Sequence, residues 1–175
     1  MNEKNTGVDK TAGRGYNDRD NDETGREQKM ETIRKAKGKD LARIAEILIF
    51  NYRLNFYPIF RDDHFYFTEM QVPAVMEQLQ PKLDHLWVFD DGAVKGFMQV
   101  EGTELKRLFV EPVLQNQSIG SALLDYAVQN LHVNQLWALE KNIRAIAFYE
   151  RHGFHITPDR KTEDGTTEYL VRLER

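Results

Sequence analysis

Two segments in the second half of the chain, residues 108–124 and 136–154, each join a strand-like apolar run to a polar loop and an amphipathic helix. The first run ends at Glu111 and Pro112, and the first turn of the helix that follows contains Gly120. The alternation of apolar strands with amphipathic helices predicts an α/β fold, in which helices pack on a sheet.

The helix start near Gly120 has the features of an anion site. Backbone N–H groups at the start of a helix have no intrahelical acceptor and can converge on a phosphate. A glycine there lets the backbone come close to the anion, because no Cβ stands in the way. An ordinary packing glycine at a strand–helix junction explains Gly120 equally well, and this alternative stays open.

The second segment places two polar side chains on one helix face. Asn142 lies where the strand gives way to the helix, and Tyr149 follows two turns later on the same face. Gly153 then supplies a left-handed helix cap, and Phe154 begins the next strand. The alternative is structural: Asn142 caps the helix and Tyr149 packs in the core.

Hydrophobic periodicity predicts the remaining elements from residue 31 onward. Helices are predicted over residues 39–56, 68–79, 120–131 and 143–151, and Pro73 indicates a late start for the second. Strands are predicted over residues 32–36, 86–89, 93–100, 104–110, 135–139, 154–157 and 168–173. The resulting order is β-α-α-β-β-β-α-β-α-β-β.

This order, with the two segments above, resembles the GNAT superfamily of acetyl-CoA-dependent N-acetyltransferases, as a small bacterial-type single-domain member. The resemblance covers residues 31–175 and is specific between about residues 93 and 154. It implies a GNAT fold of the α/β (α+β) class, with a mixed central sheet of about six to seven strands flanked by four helices.

The resemblance also implies a binding site for acetyl-CoA, the acetyl donor. The family pattern of Arg or Gln, two residues, Gly, one residue, then Gly or Ala maps onto Gln115, Ser118 and Gly120. Ser118 departs from this pattern, and Asn116 stands where many relatives carry another glycine. The implied cofactor-binding residues are Leu108, Phe109, Val110, Gln115, Asn116, Gln117, Ser118, Ile119, Gly120, Ser121 and Asn142.

The resemblance implies three catalytic roles. Tyr149 lies beside the thioester sulfur and donates a proton to the departing thiolate, and the backbone N–H of Val110 stabilises the oxyanion. Glu104 matches the position of the general base in one branch of the superfamily, and strand alternation places it on the same face as Leu108 and Val110. Glu101 is a weaker candidate, and a solvated strand-end role for Glu104 stays open.

Residues 51–67 are unusually rich in aromatic side chains. They are interpreted either as the wall of an acceptor pocket or as core packing of a long loop.

The predicted function is direct acetyl transfer to a primary amine of a small molecule. A degenerate domain that binds CoA or a metabolite as a sensor is the alternative, and a structural interaction domain without CoA binding is a third.

Composition sets the remaining expectations. The chain has 175 residues, 41% of them hydrophobic, and no cysteine, which excludes disulfides, thiolate metal sites and a cysteine acyl-enzyme. The net charge of -4 argues against a nucleic-acid partner, and the five histidines show no metal-ligand spacing.

Residues 1–30 are polar and are predicted to be a disordered leader, with Met30 as a possible native start. No membrane segment is recognised, so a soluble cytoplasmic protein is predicted, with pairing into a homodimer through C-terminal edge strands left open.

Overall fold

Seven strands form the centre of the structure, a computed structural model that describes residues 29–175. They are β1 (Ile33–Lys35), β2 (Leu86–Asp90), β3 (Val94–Glu101), β4 (Glu104–Val110), β5 (Gln135–Leu139), β6 (His155–Thr162) and β7 (Tyr169–Glu174). The strand order in the sheet is β1-β2-β3-β4-β5-β7-β6, and only the β4–β5 pair is parallel. The predicted leader lies outside the described residues, except for residues 29 and 30.

Helices cover both faces of this sheet. They are α1 (Leu41–Asn55), α2 (Tyr57–Phe60), α3 (Val72–Leu79), α4 (Ile119–Leu131) and α5 (Ile143–Arg151). The four predicted helices and the mixed sheet of the GNAT fold are therefore confirmed, and the short α2 is an addition. The first predicted helix begins two residues later than expected, at Leu41, and ends within one residue of its predicted end, at Asn55. Pro73 lies in the first turn of α3, which explains why this helix begins at Val72 rather than at residue 68.

Two cores lie on opposite faces of the sheet. On the face that we call the α4 face, helix α4 buries Ile119, Leu123 and Leu124 against strand residues such as Met98 and Leu136. On the opposite α1 face, helices α1 and α3 pack over a second set of buried residues. These are Leu41, Ile44, Ile47, Leu48, Val75, Leu79, Val88 and Phe97. The apolar periodicity of α1 and α4 thus has a direct packing cause.

Strand β4 contains a bulge that changes which side chains share a face. Gln99 of β3 is opposite Arg107, whereas the next residue, Val100, is opposite Leu105, so Lys106 is an extra residue. The bulge shifts the alternation by one position. Leu105 and Leu108 consequently lie on the α4 face, and Glu104 lies on the other. The common face predicted for Glu104, Leu108 and Val110 is therefore wrong.

Strands β4 and β5 diverge almost as soon as they meet. Their parallel pairing consists of Glu104 with Gln135 and Leu105 with Leu136. Beyond Leu105, the half of β4 that ends at Val110 is paired with β3 on one side only. The sheet is therefore open along this half of β4, and the opening positions the site described below.

Gly96 allows α4 to approach the sheet beside this opening. A Cβ on Gly96 would lie 3.0 Å from the Phe109 backbone oxygen, 3.1 Å from Leu123 Cδ1 and 3.3 Å from Ile119 Cγ2. These distances are shorter than ordinary carbon contacts. The absence of a side chain at Gly96 therefore lets the first turns of α4 lie directly against β3 and β4.

A charged cluster ties the start of α1 to the sheet edge. The Arg34 guanidinium lies 2.7 Å from an Asp40 carboxylate oxygen and 2.6 Å from an Asp90 carboxylate oxygen. Asp40 also accepts the Lys37 backbone N–H at 2.8 Å and is buried. Hydrogen bonds from Arg34 lower the pKa of both carboxyls, Asp40 and Asp90, below their usual value.

Replacing Arg34 should destabilise the protein in a pH-dependent way. We expect Arg34→Gln to lower the free energy of unfolding at pH 7 by about 1–2 kcal/mol, since the ion pairs are charge-assisted but partly exposed. Because the folded-state pKa of each carboxyl is depressed, the contribution is present above their usual pKa of 3.8 and is lost as the pH falls through the lowered values. Urea unfolding of the wild type and Arg34→Gln, at pH 7 and at low pH, measures the difference in their free energies of unfolding. The same difference at both pH values would contradict the prediction.

Candidate active site

The open half of β4 presents unpaired backbone groups to the gap beside β5. The Glu111 N–H donates to the Lys95 carbonyl at 2.8 Å, and Val110 is the register partner of Gly96. This pattern makes Val110 and Gly96 a non-hydrogen-bonded pair, so the N–H and C=O of Val110 point away from β3. Leu108, two residues earlier, has the same orientation. Leu108 and Val110 therefore face the gap, where an extended ligand can pair with them as an added strand.

A buried asparagine of α1 holds the end of this strand. Asn51 is 2% exposed, and its Nδ2 donates to the Val110 carbonyl at 2.9 Å and to the Ile47 carbonyl at 2.8 Å. Its Oδ1 accepts from Gln115 Nε2 at 3.2 Å. This network connects helix α1, the end of β4 and the loop before α4. Sequence reasoning missed Asn51, although it is a polar residue on the buried face of α1, three residues after the core residue Leu48.

The loop from Gln115 to α4 has the shape of an anion site. Asn116 and Ser118 have positive φ angles of 63° and 62°, in the left-handed region. These are the two positions at which the sequence lacks the family's glycines, so the loop keeps a glycine-like conformation without glycine. The cost is about 1–2 kcal/mol for an ordinary side chain, and Asn tolerates this region better than most residues. In addition, Lys29 Nζ donates to the Gln117 carbonyl at 2.7 Å.

Helix α4 begins directly after Ser118. The N–H groups of Ile119, Gly120 and Ser121 are in its first turn and have no intrahelical acceptor. The Ala122 N–H closes the first bond, to the Ser118 carbonyl, at 3.0 Å. The helix dipole adds positive potential at this end. The phosphate-binding geometry predicted from the sequence around Gly120 is thus available in the structure.

A first cavity of about 660 Å³ joins these groups. Its walls are the open half of β4, the loop and start of α4, and one face of α5. It is lined by Asn51, Asn55, Leu108, Phe109, Val110, Gln115, Asn116, Ser118, Gly120, Ser121, Asn142, Arg144, Ala145, Phe148, Tyr149, Arg151 and His152. Most of the predicted cofactor residues therefore share one cavity, whereas Gln117 and Ile119 lie outside its lining and Ile119 is buried in the core.

Asn142 caps helix α5 and also lines both cavities. Its Oδ1 accepts the Ala145 N–H at 3.1 Å, which caps α5. The residue also lines the first cavity and a second, adjoining one. Because the cap uses the oxygen, the side-chain NH₂ of Asn142 is the group that can donate to a ligand carbonyl.

Tyr149 lies where the two cavities meet. Its ring packs at the edge of the α4-face core, 5.2 Å from the Phe148 ring and 6.1 Å from the Phe154 ring between centroids. Tyr149 lines both cavities. Burial raises the pKa of the Tyr149 phenol well above its usual value, so the hydroxyl is protonated at neutral pH. A protonated phenol at this junction can act as a proton donor.

The second cavity, of about 570 Å³, lies between the aromatic segment and the β6–β7 turn. Its lining also includes Leu108, Phe109, Asn142 and Ala145, which it shares with the first cavity. Five of the seven aromatic residues singled out from the sequence line it, namely Tyr52, Phe56, Phe60, Phe65 and Tyr66. Tyr57 and Phe67 instead contact each other edge to face, with ring centroids 5.0 Å apart, and Tyr66 is also a buried member of the α1-face core. The segment thus forms both a pocket wall and part of the core.

A π-helix (Phe65–Glu69) carries part of this wall. Arg53 of α1 donates to the Tyr66 carbonyl at 3.0 Å and to the Met70 carbonyl at 3.3 Å, which holds the π-helix against α1. Tyr66 is consequently buried, while Phe65 remains partly exposed at the cavity. Short π-helical stretches often occur at functional sites.

The structure places Glu104 away from the residues above. It lies at the start of β4, outside both cavity linings, and its carboxylate is 2.8 Å from Lys106 Nζ. Glu101, the weaker candidate, accepts from Gln99 Nε2 at 2.6 Å. These positions neither support nor exclude a catalytic role for Glu104 or Glu101. The assignment of Glu104 as the general base therefore stays a prediction.

Residues 29–175 show neither a membrane-spanning helix nor a metal-binding cluster. None of the helices there is long and apolar enough to span a membrane. In the same part of the chain, no group of three or more His, Asp or Glu side chains is arranged to hold a metal ion.

Comparison with known proteins places this architecture. The family model described as the acetyltransferase (GNAT) domain matches residues 82–156. Peptidyl-lysine N-acetyltransferase YiaC of Escherichia coli (strain K12) is 40% identical over 72 residues, which are 40% of this chain and 49% of that protein. Peptidyl-lysine N-acetyltransferase YjaB of Salmonella typhimurium is 31% identical over 81 residues, 45% of this chain and 56% of that protein. The match thus spans about half the length of these curated relatives.

Solved structures support the fold over a longer stretch. The crystal structure of PaiA N-acetyltransferase from Thermoplasma acidophilum in complex with coenzyme A has a TM-score of 0.59 and 20% sequence identity. The similarity covers 82% of this chain and 98% of that one. The sequence-based prediction of the family is confirmed by the domain match and the curated relatives. On this evidence, residues 82–156 match the acetyltransferase (GNAT) domain, and the chain resembles GNAT N-acetyltransferases in sequence over this part and in fold over most of the described residues.

Proposed function

We propose that this protein transfers the acetyl group of acetyl-CoA directly to a primary amine, using residues 31–175 as one catalytic domain. The observation that carries the proposal is the junction of the two cavities at Leu108, Asn142 and Tyr149. One cavity has the backbone groups that suit a phosphate and an amide-containing arm. The other has an aromatic wall that suits an acceptor. A thioester and an amine held in the two cavities would meet at a proton donor.

The residues of the first cavity fit acetyl-CoA. The N–H groups at the start of α4 suit its pyrophosphate, and backbone groups of Leu108 and Val110 that face the gap suit its pantetheine arm. The Val110 carbonyl already accepts from Asn51. The Val110 N–H and both backbone groups of Leu108 are therefore the main pairing groups for the arm. Asn142 adds its side-chain NH₂.

Acetyl-CoA supplies an acetyl thioester, which an amine can attack once it has lost its proton. Leu108 lines both cavities, whereas Val110 lines only the first. This difference favours the Leu108 N–H, rather than the predicted Val110 N–H, as the donor to the acetyl oxygen while charge develops there. Tyr149 then gives its phenolic proton to the departing sulfur. Glu104 remains the proposed base from the sequence, and Asp62 and Glu163 of the second cavity have the same chemistry.

For the acceptor we propose a small molecule, in keeping with a second cavity of about 570 Å³. The curated relatives are named peptidyl-lysine N-acetyltransferases, so a lysine side chain of a protein is the competing acceptor. A cytoplasmic location and a homodimer are also proposed. For the dimer, support comes from β6, which lies at the edge of the sheet.

Calorimetric titration of acetyl-CoA tests the donor site. We expect the wild-type protein to bind acetyl-CoA and Asn142→Ala to bind about tenfold more weakly, since one hydrogen bond to a ligand amide is lost. Asn130→Ala, an exposed asparagine of α4 outside both cavities, is the matched control and should bind as the wild type does. Absence of binding at millimolar acetyl-CoA would contradict the proposal.

Thiol release from acetyl-CoA in the presence of an amine mixture separates an enzyme from the alternative, a domain that binds CoA or a metabolite as a sensor. That alternative rests on the missing glycines at positions 116 and 118. Their left-handed backbone conformation in the structure weakens it, because the loop geometry does not depend on glycine there. Binding without thiol release for any amine would favour the sensor.

A further inference from the structure

Arg107 is a cation in the wall of the proposed acceptor cavity. It lines the second cavity, on the α1 face of β4. Its Nη1 donates to Gln99 Oε1 at 2.7 Å. Among residues 29–175, no carboxylate oxygen lies within 4.0 Å of its guanidinium, whereas the neighbouring Lys106 is paired with Glu104 at 2.8 Å. An arginine has five N–H donors, so most of those on Arg107 remain available to a ligand.

The orientation of Arg107 is fixed by a chain of hydrogen bonds through Gln99 to Glu101, which we call the relay. Gln99 is 1% exposed, and it is the cross-strand partner of Arg107. Its Nε2 donates to Glu101 Oε1 at 2.6 Å, which leaves its Oε1 facing Arg107. A buried amide costs free energy unless its groups are satisfied, and here both ends are used. The relay therefore holds the guanidinium in one position at the cavity.

We propose that Arg107 binds the carboxylate of the acceptor and that the acceptor is an amino acid. This inference rests on the proposed function. The lining of the second cavity carries both signs of charge, with Asp62, Glu163 and Asp164 beside Arg107, which suits a molecule that has both an ammonium group and a carboxylate. Arginine matches a carboxylate through paired N–H donors. The aromatic wall formed by Phe56, Phe60 and Phe65 suits an apolar side chain.

The reaction balances without another reactant. The amino nitrogen forms a bond to the acetyl carbon, the carbon–sulfur bond breaks, and the amine loses one proton while the thiol gains one. The products are an N-acetyl amino acid and CoA. Arg107 neither gains nor loses a proton, so its role is specificity through binding of the acceptor.

Thiol release with matched amines tests the inference. The probes are L-phenylalanine with 2-phenylethylamine, and L-methionine with 3-(methylthio)propylamine; each pair differs by one carboxylate. For the wild type we expect kcat/KM to be about 10- to 100-fold higher for the amino acids, the range of one charge-assisted interaction. Arg107→Gln should remove this preference, and Arg107→Lys should restore part of it. Arg160→Gln, an exposed arginine of β6 paired with Glu140, is the control and should keep the full preference.

The outcomes separate the two proposals. Equal use of amino acids and decarboxylated amines by the wild type overturns the amino-acid inference, as does a preference that survives in Arg107→Gln. Acetylation of a lysine in a capped, carboxylate-free peptide in preference to every amino acid tested overturns it as well. In each of these cases acetyl transfer itself stands. If acetyl-CoA binds but none of the amines tested causes thiol release, both proposals are overturned.

Discussion

Tyr149→Phe should lower kcat about 100-fold while it changes the dissociation constant for acetyl-CoA less than twofold. The phenol lies at the junction of the two cavities and is the proposed proton donor for the departing sulfur. Loss of a positioned general acid costs about 10²–10⁴-fold in rate. The ring that contacts the core is retained in phenylalanine, so packing and cofactor binding should persist. Steady-state kinetics and calorimetry on the same samples measure the two effects.

The control for this variant is Tyr126→Phe. Tyr126 is a partly buried tyrosine of α4 that packs on the same core but lies outside both cavities. It should leave kcat unchanged. Because burial raises the pKa of Tyr149, the wild-type rate should also show no loss through ionisation of this phenol as the pH rises to 10. An unchanged kcat in Tyr149→Phe would remove Tyr149 as the proton donor.

Asn51→Leu should affect both stability and cofactor use. Leucine has a similar size but leaves the Val110 carbonyl and the Gln115 amide without their asparagine partner. We expect the free energy of unfolding to fall by about 2–4 kcal/mol, because buried polar groups lose hydrogen bonds at two places. We also expect KM for acetyl-CoA to rise about tenfold, because Asn51 holds the end of β4 and the loop before α4 in register. Urea unfolding and steady-state kinetics provide the measurements.

Asn130→Leu separates the effect of the network from the effect of an asparagine in a helix. Asn130, like Asn51, donates to the carbonyl four residues earlier in its own helix, at 3.3 Å. It is exposed and lies outside both cavities. We expect Asn130→Leu to change stability by less than about 0.5 kcal/mol, as for most surface substitutions. Similar losses in both variants would show that the contact of Asn51 with Val110 contributes little.

The order of elements was predictable because it depends on local periodicity. The apolar spacing of α1 and α4, and the cap provided by Asn142, are set by residues close together in the chain. The turn at the end of α5 was likewise predictable from Gly153, which has a φ of 83°. Element ends were less predictable. Strand β6, at the edge of the sheet, runs to Thr162 rather than to the predicted residue 157. Its pairing with β7 shifts register between Ile156 and Arg160 and then continues to Thr162.

Most of the predicted cofactor residues line one cavity, because a contiguous loop and two neighbouring elements carry them. The general base and the acceptor residues were harder to predict, since they depend on alignment between distant strands. The bulge at Lys106 reverses the face of Glu104 relative to Leu108, and no local pattern in β4 indicates it. The pairing of Gln99 with Arg107 likewise arises only when β3 and β4 are in register.

The sequence by itself determined the helices, the strands, the helix start at Gly120 and the positions of Asn142 and Tyr149, because short-range spacing controls each of them. Only the tertiary structure decided that β4 and β5 separate after Leu105, which leaves Leu108 facing a gap. Strand separation, the burial of Asn51 against Val110 and the meeting of two cavities at Tyr149 are long-range contacts. They follow from how the helices and strands pack together, and local sequence does not encode that packing.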